Sequence, residues 1–162
     1  MKSQYLIFLV LAAISGSCNT NKTPLQFETD NMQETPLQYE IIGSDGFHVD
    51  SSGTQIYRDQ GEWTLLWEKN WSIFNSSGEK TSPPSIDFSE NMVIAIFYGK
   101  QSSACQNLDD IIRSVSKKSD RLEVELGVVN LEGPCDAISW PSIMLKVEKS
   151  DLPVMFIGDV PD

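Results

Sequence analysis

Histidine is almost missing from these 162 residues: His48 is the only one. A Ser-His-Asp relay would have to run through it, and no serine sits in a Gly-x-Ser-x-Gly turn. No histidine and cysteine stand at zinc-ligand spacing. Basic residues are also scarce, 12 against 23 acidic, for a net charge of −11 and a pI near 4.4. That balance argues against nucleic acid and anionic membrane surfaces as partners, since both select basic patches. Cysteine occurs three times, at Cys18, Cys105 and Cys135. No apolar run approaches the roughly 20 residues that cross a bilayer as a helix. With neither catalytic motif nor metal spacing, no enzyme, metal or cofactor is expected.

What the chain does have begins with a leader. Met1-Lys2 gives a positive start, residues 5–14 are apolar, and Ser15-Gly16-Ser17 puts small residues directly before Cys18. This resembles the lipobox of bacterial lipoproteins, in which the cysteine becomes the lipidated first residue. A cleaved signal peptide beside a free cysteine is the alternative. The expectation is a signal peptide over 1–17, a lipidated Cys18 opening a flexible tether over 18–38, and one domain over 39–162. Asn19 is not an aspartate retention signal, so the expected address is the cell envelope, anchored in the outer membrane and facing the periplasm. In that oxidising compartment Cys105 and Cys135 are left as an even pair.

The tether is rich in Asn, Thr, Gln, Glu and Pro. Within it Thr23-Pro24-Leu25-Gln26-Phe27-Glu28 recurs as Thr35-Pro36-Leu37-Gln38-Tyr39-Glu40. Two copies are too few for a repeat architecture. A linker duplication is the preferred reading, and a short edge strand formed by either copy is the alternative.

The domain reads as mainly β (α+β): an antiparallel sheet or sandwich with one packed amphipathic helix. Short strands at 39–42 and 55–58 flank turn clusters rich in Asp, Ser and Gly. Asp45, His48 and Asp50 lie among these turns. Their spacing matches no known coordination loop, so they are read as surface turn residues. Asp59 is placed to cap a helix, and Glu62 three residues later completes a capping box. Trp63, Leu66, Trp67 and Trp71 then recur at helical spacing on one face. That stripe is read as the face packed on the sheet, with a sugar-stacking platform as the alternative and Trp71 left open.

The unbroken apolar run at 92–98, bounded by Pro84 and Gly99, predicts a central strand buried on both faces. Segments 111–116, 122–128, 142–148 and 153–157 are expected to follow as strands covered on one face. If 92–98, 111–116, 122–128 and 142–148 pair in succession, the chain reverses three times. The loop after the first and the loop before the last then emerge at one end, and these loops hold Cys105 and Cys135. A disulfide there closes a loop of about 30 residues and stabilises by about 3–4 kcal/mol on a chain-entropy account. Two unpaired buried cysteines are the alternative. The carboxylate pairs Asp109-Asp110 and Glu123/Glu125 are read as solvated charge.

Two stretches carry a family resemblance. Glu62-Trp63-Thr64-Leu65-Leu66-Trp67 and the segment from Ile86-Asp87-Phe88-Ser89 through the apolar strand to Gly99 resemble the PrcB C-terminal domain family. The resemblance covers about residues 39–158. It implies a non-catalytic lipoprotein subunit that binds a protein partner in the cell envelope and stabilises a secreted or envelope protease complex. The chain departs from the family at Ala104-Cys105-Gln106, where a Gly-Tyr turn is usual, and at Trp140-Pro141-Ser142. These departures fall in the two cysteine loops, so Gln101, Gln106, Trp140 and Pro141 are the candidate partner-binding residues. A glycan-binding module using Trp71, Trp140 or Tyr98 is the competing reading.

Overall fold

In the computed structural model, the described residues are 34–43, 47–70, 82–102, 108, 111–129 and 138–161. Cys18, Trp71, Cys105, Gln106 and Cys135 lie outside them, and with them the expectations of a leader, a lipid anchor and a disulfide. In chain order the strands are β1 (Thr35–Pro36), β2 (Tyr39–Gly43), β3 (Ser52–Tyr57), β4 (Asn91–Tyr98), β5 (Ile112–Lys117), β6 (Leu122–Leu126), β7 (Ser142–Glu148) and β8 (Val154–Ile157). The helix α1 (Gln60–Asn70) lies between β3 and β4.

β4 is buried along both faces, as its composition predicts. Met92, Ile94, Ile96 and Tyr98 enter one core; Val93, Ala95 and Phe97 enter another. The first core lies between two sheets, ordered β2-β7-β4-β3 and β1-β5-β6-β8. The second lies between β4 and α1, where Trp63, Leu66 and Trp67 meet Phe47, Tyr57 and Phe88. The protein is therefore a two-sheet sandwich with a helix on one outer face. Each fully buried Val, Leu, Ile or Phe contributes about 1.5–3 kcal/mol, so β4, serving both cores, couples the three layers.

The helix begins as its sequence dictates. The Asp59 carboxylate accepts the Glu62 backbone N–H at 2.9 Å, which satisfies one otherwise orphaned donor. Within the described residues its apolar stripe is core: Trp63 is fully buried, 5.5 Å from Trp67 and 6.0 Å from Tyr57 between ring centroids. The Trp63 indole N–H donates to the Pro84 carbonyl at 3.3 Å.

Three expectations are corrected. First, the strands do not pair in chain order. β4 pairs with β7, while β5 and β6 pair in the other sheet. The physical reason is visible in burial: β7, like β4, is covered on both faces, whereas β6 alternates. Two doubly covered strands belong side by side at the centre of the middle layer. Second, β8 pairs parallel to β6. Only strands joined by a hairpin must run antiparallel, and β8 arrives by a crossover from β7. Arg58 holds that crossover through the Ser150 and Leu152 carbonyls at 3.1 and 3.2 Å. Third, the second copy of the hexapeptide is in part structured. Thr35 and Pro36 pair with Lys117 and Ser116, the Leu37 N–H donates to the Val115 carbonyl at 2.8 Å, and Leu37 packs on the inter-sheet core. The edge-strand alternative is the one observed, and the folded region reaches back into the stretch expected to be tether.

Candidate partner-binding surface

The pairing of β4 with β7 brings two loops together by a shorter route than three successive reversals. Beyond Phe97↔Ser142 the ladder continues: the Tyr98 N–H donates to the Pro141 carbonyl at 2.9 Å, and Gln101 and Ser139 exchange backbone bonds of 2.8 and 3.1 Å. The segment leaving β4 and the segment entering β7 thus emerge paired at one end of the sheet.

Gly99 makes the close approach beside this ladder. Its φ is +68°, and a Cβ there would lie 2.9 Å from the Asp50 carbonyl oxygen. The segment carrying His48 and Asp50 is therefore pressed against the end of β4. Its other side is held by the His48 N–H, which donates to the Asn70 carbonyl at the end of α1 at 2.8 Å. Trp140 joins the two segments. Its ring stacks on His48 with centroids 4.1 Å apart and planes at 26°, and its indole N–H donates to the Asp50 carboxylate at 2.8 Å.

The four candidate residues separate accordingly. Trp140 is half-buried and belongs to neither core, so it is a fixed surface aromatic. Gln101 is half-buried and braces the turn, donating to the Tyr98 carbonyl at 2.6 Å. Pro141 is buried, and its carbonyl is used by Tyr98, so it positions Trp140 and offers no surface of its own. Gln106 lies outside the described residues. Tyr98, named for sugar stacking, is 4% exposed and faces the inter-sheet core, where no sugar can reach its ring. Burial, then the Asp159 charge, pushes its phenol up to about 12, and its hydroxyl has no partner among the described residues.

Sequence reasoning missed His48 and Asp50. It read them as turn residues, and nothing local signals contact with an indole some 90 positions away. It also missed an open groove of about 770 Å³ between α1 and β3, which begins at His48 and Asp50 and is lined further along by Tyr57, Glu62, Leu65 and Lys69. Burial, then the Glu62 charge, pushes the Tyr57 phenol up to about 12. Among the described residues no three His, Cys, Asp or Glu side chains cluster as metal ligands, and no helix is long and apolar enough to cross a membrane. Comparison with protein-family models, curated proteins and solved structures finds no match to this chain.

Proposed function

We propose that this chain is an exported bacterial lipoprotein, anchored through Cys18, whose domain is a non-catalytic interaction or accessory subunit of a cell-envelope complex. The resemblance of residues 62–67 and 86–99 to the PrcB C-terminal domain supports a protease complex as the kind of assembly. The observation that carries the reading is Trp140: a half-exposed indole held by His48 and Asp50 at the end of the sheet. A preorganised aromatic loses little freedom on association, and tryptophan is enriched among residues that dominate binding energy. The Gln101–Ser139 bridge joins the bases of both cysteine loops, which supports a Cys105–Cys135 disulfide as a further brace. Chemical crosslinking in native membranes followed by purification tests the reading. It predicts a stoichiometric envelope protein attached to the chain. Recovery of the chain alone, with binding on a glycan array, would replace it with the carbohydrate reading.

A further inference from the structure

β3 is the outermost strand of its sheet, paired on one side with β4. Which of its backbone groups point outward follows from the far side of β4. The Tyr98 N–H bonds to Pro141 on the β7 side, so Ile96 and Ile94 face β7 as well, because alternate residues of an antiparallel strand bond to the same neighbour. Phe97, Ala95 and Val93 therefore face β3, and they are opposite Gly53, Gln55 and Tyr57. Thr54 and Ile56, lying between these, aim their N–H and C=O groups at the free edge. Neither has a backbone partner there among the described residues.

The groove beside α1 reaches this edge over residues 55–57 and continues to Asp50 and Ser51, while Gly53 and Thr54 do not line it. Gln55, Ile56 and Tyr57 all line it, although successive side chains of a strand point to opposite faces. Tyr57 packs in the helix-side core and Ile56 against the inter-sheet core. A cavity that touches all three reaches the strand's edge and not merely one face. The opposite wall is one face of α1, with Glu62, Leu65 and Lys69 at spacings of three and four. From Glu62 to Lys69 the helix rises about 10 Å, and from Gly53 to Tyr57 the strand advances about 13 Å, the length of four or five extended residues. Since α1 turns straight back after β3, Glu62 stands near Tyr57 and Lys69 near Asn70 and His48. Leu65, 66% exposed, lies between the two charges. Asp50, at the Lys69 end, is engaged by the Trp140 indole N–H.

We propose that the groove between α1 and the free edge of β3 binds an extended peptide segment of a partner protein, added as a strand antiparallel to β3. Its groove-facing side chains are, from N- to C-terminus, basic against Glu62, apolar against Leu65 and acidic against Lys69. Strand addition uses backbone bonds for affinity and alternate side chains for selectivity, and this groove supplies both. The proposal rests on the interaction reading above and names the partner's chemistry.

The probe is the peptide Lys-Thr-Leu-Thr-Asp, amidated and carrying an N-terminal fluorophore, titrated into the full chain. In the proposed register lysine lies opposite Tyr57, leucine opposite Gln55 and aspartate opposite Gly53. The two threonines bond to Ile56 and Thr54. Binding should shift the Thr54 and Ile56 amide resonances. N-methylating both threonine amides should weaken binding by about tenfold or more, the loss expected for two backbone hydrogen bonds. N-methylating the leucine amide, which points outward, should change it less than about twofold. The paired substitutions Glu62→Lys and Lys69→Glu should reverse the preference towards Asp-Thr-Leu-Thr-Lys. Equal loss from either methylation, or no shift at Thr54 and Ile56, overturns the proposal. Slow exchange of those two amides without peptide also overturns it, and a concentration-dependent slowing would assign the edge to a second copy. Failure here with partner crosslinking intact removes the peptide groove and leaves the interaction reading standing.

Discussion

Replacing Trp63 with alanine is the most informative single perturbation of the scaffold. Trp63 is fully buried and packs against Phe47, Tyr57 and Trp67, with centroid distances of 6.5, 6.0 and 5.5 Å. Truncating a large buried aromatic costs about 3–5 kcal/mol, because the transfer energy is lost and a cavity remains. The Pro84 carbonyl also loses the indole N–H that it accepts at 3.3 Å. An isolated helix of about three turns is marginal in water, so α1 depends on this face to stay formed. Against a total stability of about 5–15 kcal/mol, Trp63→Ala should remove a large share and lower the melting temperature by roughly 10–20 °C. Urea titration followed by circular dichroism measures the loss. Trp63→Phe should fall between Ala and wild type, since it refills part of the space but restores no donor. Leu65→Ala, on the exposed face, should change stability by less than about 0.5 kcal/mol. A loss below about 1 kcal/mol at Trp63 would refute the layered core and reopen the tryptophan stripe as a ligand platform.

The buried Tyr98 hydroxyl lacks a partner among the described residues, so Tyr98→Phe should keep or raise stability, by up to about 1–3 kcal/mol; a marked loss would mean that the hydroxyl is bonded. Tyr57 and Tyr98 hold their protons more tightly folded, at about 12, than the ordinary value of 10 for an exposed phenol. Their contribution is therefore complete below about pH 10 and is lost as the pH rises through about 12. Urea midpoints recorded across that window should fall, and the slope should lessen in Tyr57→Phe. Gly158 has a φ of +103°, and a Cβ there would sit 2.2 Å from the Leu126 carbonyl oxygen. Gly158→Ala should cost about 1–3 kcal/mol or more by the same titration, and an unchanged midpoint would show that the turn re-forms freely.

Much of the scaffold was legible because burial writes itself into composition. The run at 92–98, apolar at every position, could only be a strand covered twice, and Asp59 with the spacing of Trp63, Leu66 and Trp67 marked the start and the buried face of α1. Lys146 and Glu148 give β7 the look of a half-exposed strand, which hides its double coverage. In the fold, Lys146 meets Glu40 on β2 at the margin of the sheet, so a charged residue sits in an otherwise buried strand. Strand order was not legible, since pairing between distant segments depends on which faces remain uncovered once the helix has docked. The Trp140 surface was half legible. The departures from the resembled motif point to Trp140, while the ring and carboxylate that hold it, His48 and Asp50, lie about 90 residues earlier in a turn with no periodic signal. The groove at the edge of β3 left no trace in the sequence, because its lining comes from segments, from His48 to Lys69 and Phe97, that only the fold sets side by side.

Trp140→Ala, assayed for partner capture by crosslinking and for stability by urea titration in the same preparations, tests the proposed interface most directly. Trp140 lies outside both cores and is tied to the surface residues His48 and Asp50. The variant should therefore keep most of its stability, losing about 1–2 kcal/mol for the stack and hydrogen bond, while capture of the proposed partner falls by tenfold or more. Undiminished capture, or a loss of capture no greater than the loss of folded protein, would contradict the claim that this end of the sheet is where the partner binds.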